Sequence, residues 1–323
     1  MHSTFSHCAL SDGFVIPESV TTIAGAAFEQ NPFTEITIPA NVQTVGYYAF
    51  YKCENLKKVT MSEGVKVIGN YAFASCKRLE FIEIPNSVTS IGQRAFSSCS
   101  GLSYATIGDG VTEIGSYAFY NCEAMTSVIM GDAVEKIGSS VFSGCNALES
   151  VTLGSNIATV GEEAFRYCDA LDSVYITDLS AWCQIDFDGT AANPLDNMAR
   201  LYINGEELKE LSIPEDVTEL KPYLFPGCES LTKVTVGDHV TSMGELIFTG
   251  CHSLTSITVG EGVTAIYWGT FSGRSLTTIT LGSNVKTIGG NALYGCPNLT
   301  SIYCYVTAPP ALSSGHDSFD KYG

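Results

Sequence analysis

Cysteine and histidine are where reactive or metal-binding chemistry would be sought in this chain, which carries 12 Cys and five His. Nine cysteines recur at one position of a repeated pattern: Cys53, Cys76, Cys99, Cys122, Cys145, Cys168, Cys228, Cys251 and Cys296. Cys8 fits the same register, Cys304 falls in an apolar strand position, and Cys183 stands in an irregular stretch. Composition alone would allow a disulfide framework. Periodicity argues against it, because equivalent residues of stacked units have parallel Cα–Cβ vectors, whereas a disulfide needs its Cβ atoms turned toward each other. A zinc array would want paired Cys-x-x-Cys or Cys/His groupings, and there are none. The expectation is a ladder of buried free thiols acting as small apolar fillers. The histidines, His2, His7, His239, His252 and His316, show no HExxH spacing, and His239 and His252 read as solvated turn residues. No GxSxG elbow, Walker A loop or GxGxxG fingerprint is present. Asp186-Phe187-Asp188-Gly189 opens like a calcium loop but lacks the later ligands and the closing Glu, so it reads as a plain turn. Cys183 has no His in its own unit to activate it, and Trp182 beside it indicates packing. No catalytic residue, cofactor or metal is expected.

The elements behind these positions are copies of one unit. Val88–Gly110, VTSIGQRAFSSCSGLSYATIGDG, is followed at once by Val111–Ala133, VTEIGSYAFYNCEAMTSVIMGDA. A period of 20–50 residues marks a solenoid or array. The Phe of the Ala-Phe slot tracks it: Phe28, Phe50, Phe73, Phe96, Phe119, Phe142, Phe165, then Phe225, Phe248 and Phe271, with Leu293 standing in and a degenerate copy at Phe319. Most steps are 23 residues. The two steps of 22, after Phe28 and Phe271, fall in units without Cys, which reads as a turn deletion that removes the cysteine. Leu-x-x-Val-x-Ile alternates like a short strand, as in Leu56–Met61, and Gly or Pro ends it, as at Pro85 or Gly108. Val-Thr-x-Ile-Gly reads as a second extended stretch and Gly-x-x-Ala-Phe-x-x-Cys as a helical turn. One coil cannot bury its apolar side, so its neighbours must.

This pattern, VTxIGxxAFxxCxxLxxVTI, resembles the BspA-like leucine-rich repeat family of bacterial surface proteins, over nearly the whole chain. The resemblance implies a leucine-rich-repeat solenoid: a parallel β-sheet on the concave face, short turns and helical turns on the convex face, and about 11–12 coils of mostly 23 residues. Residues 1–323 read as a single solenoid with one enlarged irregular coil at about 177–213. There the strand-to-strand step from Ile176 to Ile213 is 37 residues. Asp178 is placed to cap a short helix through Trp182, and Asn204-Gly205 to form a two-residue hairpin turn. Similar DLSAWC…ANPL…LYING segments occur in the same family.

With 34 acidic and 16 basic residues the formal charge is −18. Such a surface repels phosphate backbones, so nucleic acid and anionic lipid are poor partners, and no apolar run is long enough to span a membrane. The opening MHSTFSHCAL lacks the order of a signal peptide, and both ends of the sequence are expected to continue into further residues of the natural domain.

What remains is surface. With Leu, Val and Ile inward, the residues flanking Val face out, and most of them are Ser or Thr. Against that background Phe81, Tyr104 and Ile129 form a diagonal of apolar groups, with Lys58 and Glu83 beside it and Tyr175 further along. Exposed aromatic patches mark binding sites, although these rings could equally serve only to cover the sheet. A second candidate is the ridge Tyr48, Tyr71, Tyr117 and Tyr223, two residues before the Phe, with rim packing as its plain alternative; the bulge at 177–207 is a third. The family resemblance implies an adhesin-like, non-catalytic module, secreted or at the cell surface, that binds a protein or glycan. The competing reading is a passive spacer or cell-wall protein. An enzyme would require Cys183, Asp186 and Asp188 to converge in a pocket.

Overall fold

The alternation in Leu-x-x-Val-x-Ile becomes a short parallel strand in the computed structural model, which describes residues 5, 6, 8, 10, 12–306 and 309–312. Packing divides the chain into two compact units, Met1–Leu171 and Asp172–Gly323. In the first, the strands Glu35–Ile38, Lys58–Met61, Phe81–Ile84, Tyr104–Ile107, Ser127–Met130 and Ser150–Thr152 lie side by side in chain order. Register advances one repeat per strand, with Ile82 beside Ala105 and Val128 beside Val151. Val59, Ile82 and Val128 point inward and are buried, while the residues on either side of them alternate outward. The Val-x-x-Ile segments give each coil a second, two-residue strand, and these too stack in order, from Thr22–Ile23 to Thr159–Val160.

The Gly-x-x-Ala-Phe-x-x-Cys segment is a run of tight turns and not a helical turn. The residue two before the Phe is left-handed in successive coils, with φ of +55° at Tyr48, +59° at Tyr71, +56° at Arg94 and +62° at Tyr117. Many of the residues two after it, such as Lys52 and Ser75, are left-handed too. These conformations divide the backbone donors between two directions. The N–H groups of Tyr48, Phe50 and Lys52 donate to the next coil, to the carbonyls of Asn70, Ala72 and Ala74 at 3.0, 2.7 and 2.9 Å. Those of Ala49, Tyr51 and Cys53 close turns within their own coil, on Gly46, Tyr48 and Phe50. An α-helix would keep every such donor within one coil; here the turn side bonds coil to coil as the strands do.

Between strands and turns runs a column of phenylalanines. From Phe28 to Phe165 each ring stacks on the next, with centroids 4.9–5.5 Å apart and planes within 18°. That is the offset-stacked range favoured by the ring quadrupole. Phe5 extends the column one coil earlier than the sequence pattern indicated, stacked on Phe28 at 5.7 Å.

The cysteines do more than fill space. Cys53, Cys76, Cys99, Cys122, Cys145 and Cys168 each donate the thiol to the Phe carbonyl of the preceding coil, at 3.1–3.3 Å. Asn31, the residue standing at this position after Phe28, is buried and donates Nδ2 to the Phe5 carbonyl at 2.8 Å. The cysteine is therefore substituted there and not deleted. All 12 thiols are free, with Cys53, Cys76, Cys99, Cys122, Cys145, Cys168, Cys183, Cys228 and Cys251 buried and Cys8 and Cys304 exposed. Exposure of Cys304 departs from the inward position that its apolar strand slot predicts. Its strand, Ser301–Cys304, is the last of its sheet among the described residues, so no further coil covers it. Burial pushes the Cys53 thiol up to about 12 and raises those of Cys76 and Cys122 as well. The thiolate is the reactive species. A native chain at neutral pH is therefore expected to release thionitrobenzoate rapidly from two thiols, Cys8 and Cys304, with half-buried Cys296 slower. The nine buried thiols should react only in denaturant; rapid native titration of more than three would contradict the ladder.

The second unit begins with the enlarged stretch, which resolves into a coil and a hairpin. Ser173–Ile176 pairs in parallel with Arg200–Ile203, Ser173 opposite Arg200. Between them lie the helix Leu179–Cys183, whose Ala181 N–H is accepted by the Asp178 side chain at 3.1 Å, and the two-residue strand Asp186–Phe187. Asn204 and Gly205, at φ +51° and +84°, turn the chain so that Glu206–Glu207 runs back antiparallel on Tyr202 and Ile203. Positive φ at both central residues is the demand of a type I′ hairpin. A separate five-stranded sheet then runs from Glu210–Ser212 to Ser301–Cys304. The core continues across this change of sheet. Trp182 takes the ring position before Phe225, at 6.3 Å, and donates Nε1 to the Leu224 carbonyl at 3.1 Å. Buried Asn193 donates to the same carbonyl and to that of Tyr223.

Candidate binding faces

The candidate residues of the first unit's sheet face are set by strand register. Lys58 lies opposite Phe81, and Phe81 opposite Tyr104. Phe81 and Tyr104 stack at 5.3 Å with planes 5° apart, so each ring shields one face of the other while Tyr104 stays 38% exposed. Glu83 is opposite Thr106, and Thr106 opposite Ile129, which is 51% exposed. Lys58, Glu83 and Ile129 are all exposed, and the register brings these five residues together on four neighbouring strands. Tyr175 belongs to the second unit, where it stacks on Tyr202 at 4.9 Å beside Arg200.

The tyrosine ridge lies on the turn side. Tyr48 stacks on Tyr71 at 4.7 Å and 8°, and Tyr47 and Tyr51 meet Tyr48 edge-on. The sequence reading omitted Arg94, which fills the gap between Tyr71 and Tyr117. Its guanidinium carbon lies 5.9 and 4.5 Å from their ring centroids. Repeat alignment places Arg94 in the tyrosine column; a search for aromatic residues alone passes over it. Tyr223, in the second unit, donates its hydroxyl to Glu245 at 3.1 Å, and burial together with that carboxylate raises its pKa.

The residues of the enlarged stretch do not converge. Cys183 is fully buried, burial pushes its thiol up to about 12, and Asp186 is exposed and paired with Lys221 at 2.9 Å. Among the described residues no group of three or more His, Cys, Asp or Glu is arranged to hold a metal ion. His239 and His252 are half-buried rather than solvated, with Nε2 of the first and Nδ1 of the second buried and unpartnered among the described residues. Gly237 leaves the room that the His239 ring occupies, since a Cβ there would lie 2.4 Å from it. His2, His7, His316 and Phe319 lie outside the described residues. No helix among the described residues is long and apolar enough to cross a membrane.

A coil of two parallel strands and a turn, repeated every 23 residues or so, defines a leucine-rich-repeat solenoid. The chain belongs to the family of the BspA type leucine rich repeat region, whose model matches residues 1–126, 66–186 and 199–308. That family is one of bacterial surface proteins, built on a repeat fold that serves protein binding and is typically non-enzymatic. Among solved structures, a leucine-rich repeat protein from Bacteroides ovatus is 27% identical with a TM-score of 0.57, over 91% of this chain and 78% of that one. A leucine rich cell surface protein from Faecalibacterium prausnitzii is 26% identical with a TM-score of 0.46, over 93% and 84%. The leucine-rich repeat protein of T. pallidum is 24% identical with a TM-score of 0.40, over 72% and 82%. No curated protein matches the chain.

Proposed function

We propose that the chain is a non-catalytic recognition module, secreted or held at a bacterial cell surface, that binds a protein or glycan partner in the manner of an adhesin. The observation that carries this reading is the exposed apolar cluster of Phe81, Tyr104 and Ile129 on a sheet face otherwise made of small polar residues. Aromatic groups held rigid before binding lose little entropy when a partner covers them, and such groups dominate binding energies. Lys58 and Glu83 flank the cluster with one charge of each sign, which favours a defined orientation of the partner over plain adhesion. Tyr175, stacked on Tyr202, offers the second unit a smaller aromatic site of the same construction.

Surface binding of the chain to a panel of extracellular-matrix proteins and glycans tests this, beside a Phe81→Ala/Tyr104→Ala double variant. The parent should bind saturably and the double variant at least about tenfold more weakly, since central aromatic anchors are worth about 2 kcal/mol or more. Both side chains lie on the surface, so the variant should keep its fold. Equal binding by the two would remove the cluster from the site. Silence of the parent across the panel would favour the passive spacer.

A further inference from the structure

The stack Tyr48–Tyr71–Arg94–Tyr117 is a different feature from the sheet-face cluster and stands independently of it. From it we infer that Arg94 is the centre of a second binding site, one that takes the carboxylate of a uronic-acid sugar.

The stack is held in advance. Each of its four residues has a left-handed backbone, and each donates its N–H to the next coil, at 3.0, 2.9, 3.0 and 2.9 Å. A left-handed conformation at residues other than Gly is costly and persists only where surrounding structure enforces it. The tyrosine rings meet the faces of the guanidinium, so cation–π contact leaves its in-plane donors uncommitted.

Those donors have no partner within the chain. Arg94 forms no ion pair and no side-chain hydrogen bond with any described residue, and its Nε is buried and unpartnered. A buried polar atom without a partner requires an explanation. In a chain with 34 acidic residues against 16 basic ones, an arginine without a carboxylate is itself informative. The turn segments 69–76, 92–99 and 115–122 contain no Asp or Glu, whereas the flanking coils carry Glu29 on one side and Glu162 and Glu163 on the other. Acidic residues are thus missing from the three coils around Arg94, where a carboxylate from outside would find a planar, bidentate fork.

The neighbours select a sugar over a peptide. Gln93, Ser116, Ser98, Asn121 and the tyrosine hydroxyls supply neutral donors and acceptors suited to a polyhydroxylated ring. A peptide would need a free strand edge or apolar pockets. The backbone donors here are committed to the next coil, and none of these polar side chains lines an apolar pocket.

Titration calorimetry of the full chain with tetramers of glucuronic and galacturonic acid tests the assignment. At least one tetramer should bind, more weakly as salt is raised, and its methyl ester should not. Arg94→Gln should lose at least about tenfold in affinity, as expected for a charge-assisted hydrogen bond. Arg94→Lys should fall between, because it keeps the charge but not the fork. The far-ultraviolet spectrum and thermal transition of each variant check the fold, and the Phe81→Ala/Tyr104→Ala variant should bind the tetramer as the parent does. The inference is overturned if neither tetramer binds, if the ester binds as tightly as the acid, or if Arg94→Gln binds unchanged. A tetra-aspartate peptide competing equally well would overturn the sugar assignment.

Discussion

Phe96→Ala should lower the stability of the first unit by about 3–5 kcal/mol, the cost of truncating a large aromatic side chain in a core that collapses poorly. Phe96 is fully buried and stacks on Phe73 and Phe119, each at 5.2 Å. Its carbonyl also receives the Cys122 thiol, and its N–H reaches the Ala118 carbonyl at 2.7 Å. The cavity would open between two rings whose positions are fixed by their own coils, so neither can move to fill it without breaking coil-to-coil bonds. Stability in a solenoid is a sum of coil terms and nearest-neighbour terms, and this one change removes ring contacts on both sides. Both tryptophans, Trp182 and Trp268, lie in the second unit, so urea unfolding should be followed by far-ultraviolet circular dichroism. A midpoint within error of the parent would contradict the stacked core. Phe271→Ala should cost less, because Phe271 has one ring neighbour, Phe248, at the longer distance of 6.4 Å.

Gly115→Ala should be the next most damaging change, at about 1–3 kcal/mol for one added methyl, the range measured for overpacking. A Cβ on Gly115 would stand 2.6 Å from the Gln93 nitrogen, 2.7 Å from the Gly92 carbon and 2.9 Å from the Ile91 oxygen. All three are backbone atoms of the preceding coil and cannot rotate away. Gly46, Gly69, Gly92, Gly138 and Gly161 stand in equivalent positions, with contacts of 2.5–2.8 Å. Glycine is present here for close approach of one backbone to another, not for an unusual φ. The contrasting variant is Lys136→Ala, which breaks an exposed ion pair with Glu113 at 2.9 Å and should cost under about 1 kcal/mol. If Gly115→Ala unfolds at the parent's denaturant concentration, the coils are not in contact at this point.

The family membership and this packing bear on the same conclusion from different sides. Membership places the chain among bacterial surface proteins. The packing shows how coils of about 23 residues hold two aromatic features rigid, one on the strands and one on the turns. A rigid coil can present such rings at low entropic cost because its backbone is already bonded to both neighbours.

Much of the architecture was legible in the sequence because a fixed period carries it. The recurrence of Val, Ile-Gly, Ala-Phe, Cys and Leu determined the solenoid, the inward face of each strand and the free thiol ladder. Local rules determined the Asp178 cap and the Asn204-Gly205 hairpin, since each depends on residues close in sequence. What only the tertiary structure decided concerns contacts between residues of adjacent coils. The left-handed turn in place of a helical one depends on donors that find carbonyls in the next coil. Asn31 replaces a cysteine because its amide can reach the same carbonyl, that of Phe5, which a search for Ala-Phe does not find. Arg94 joins the tyrosine column through stacking on rings 23 residues to either side. The change of sheet between Glu206–Glu207 and Glu210–Ser212 likewise follows from strand pairing that no local pattern encodes. Periodicity reports which residues are equivalent, while the distance between neighbouring backbones decides what each equivalent residue touches.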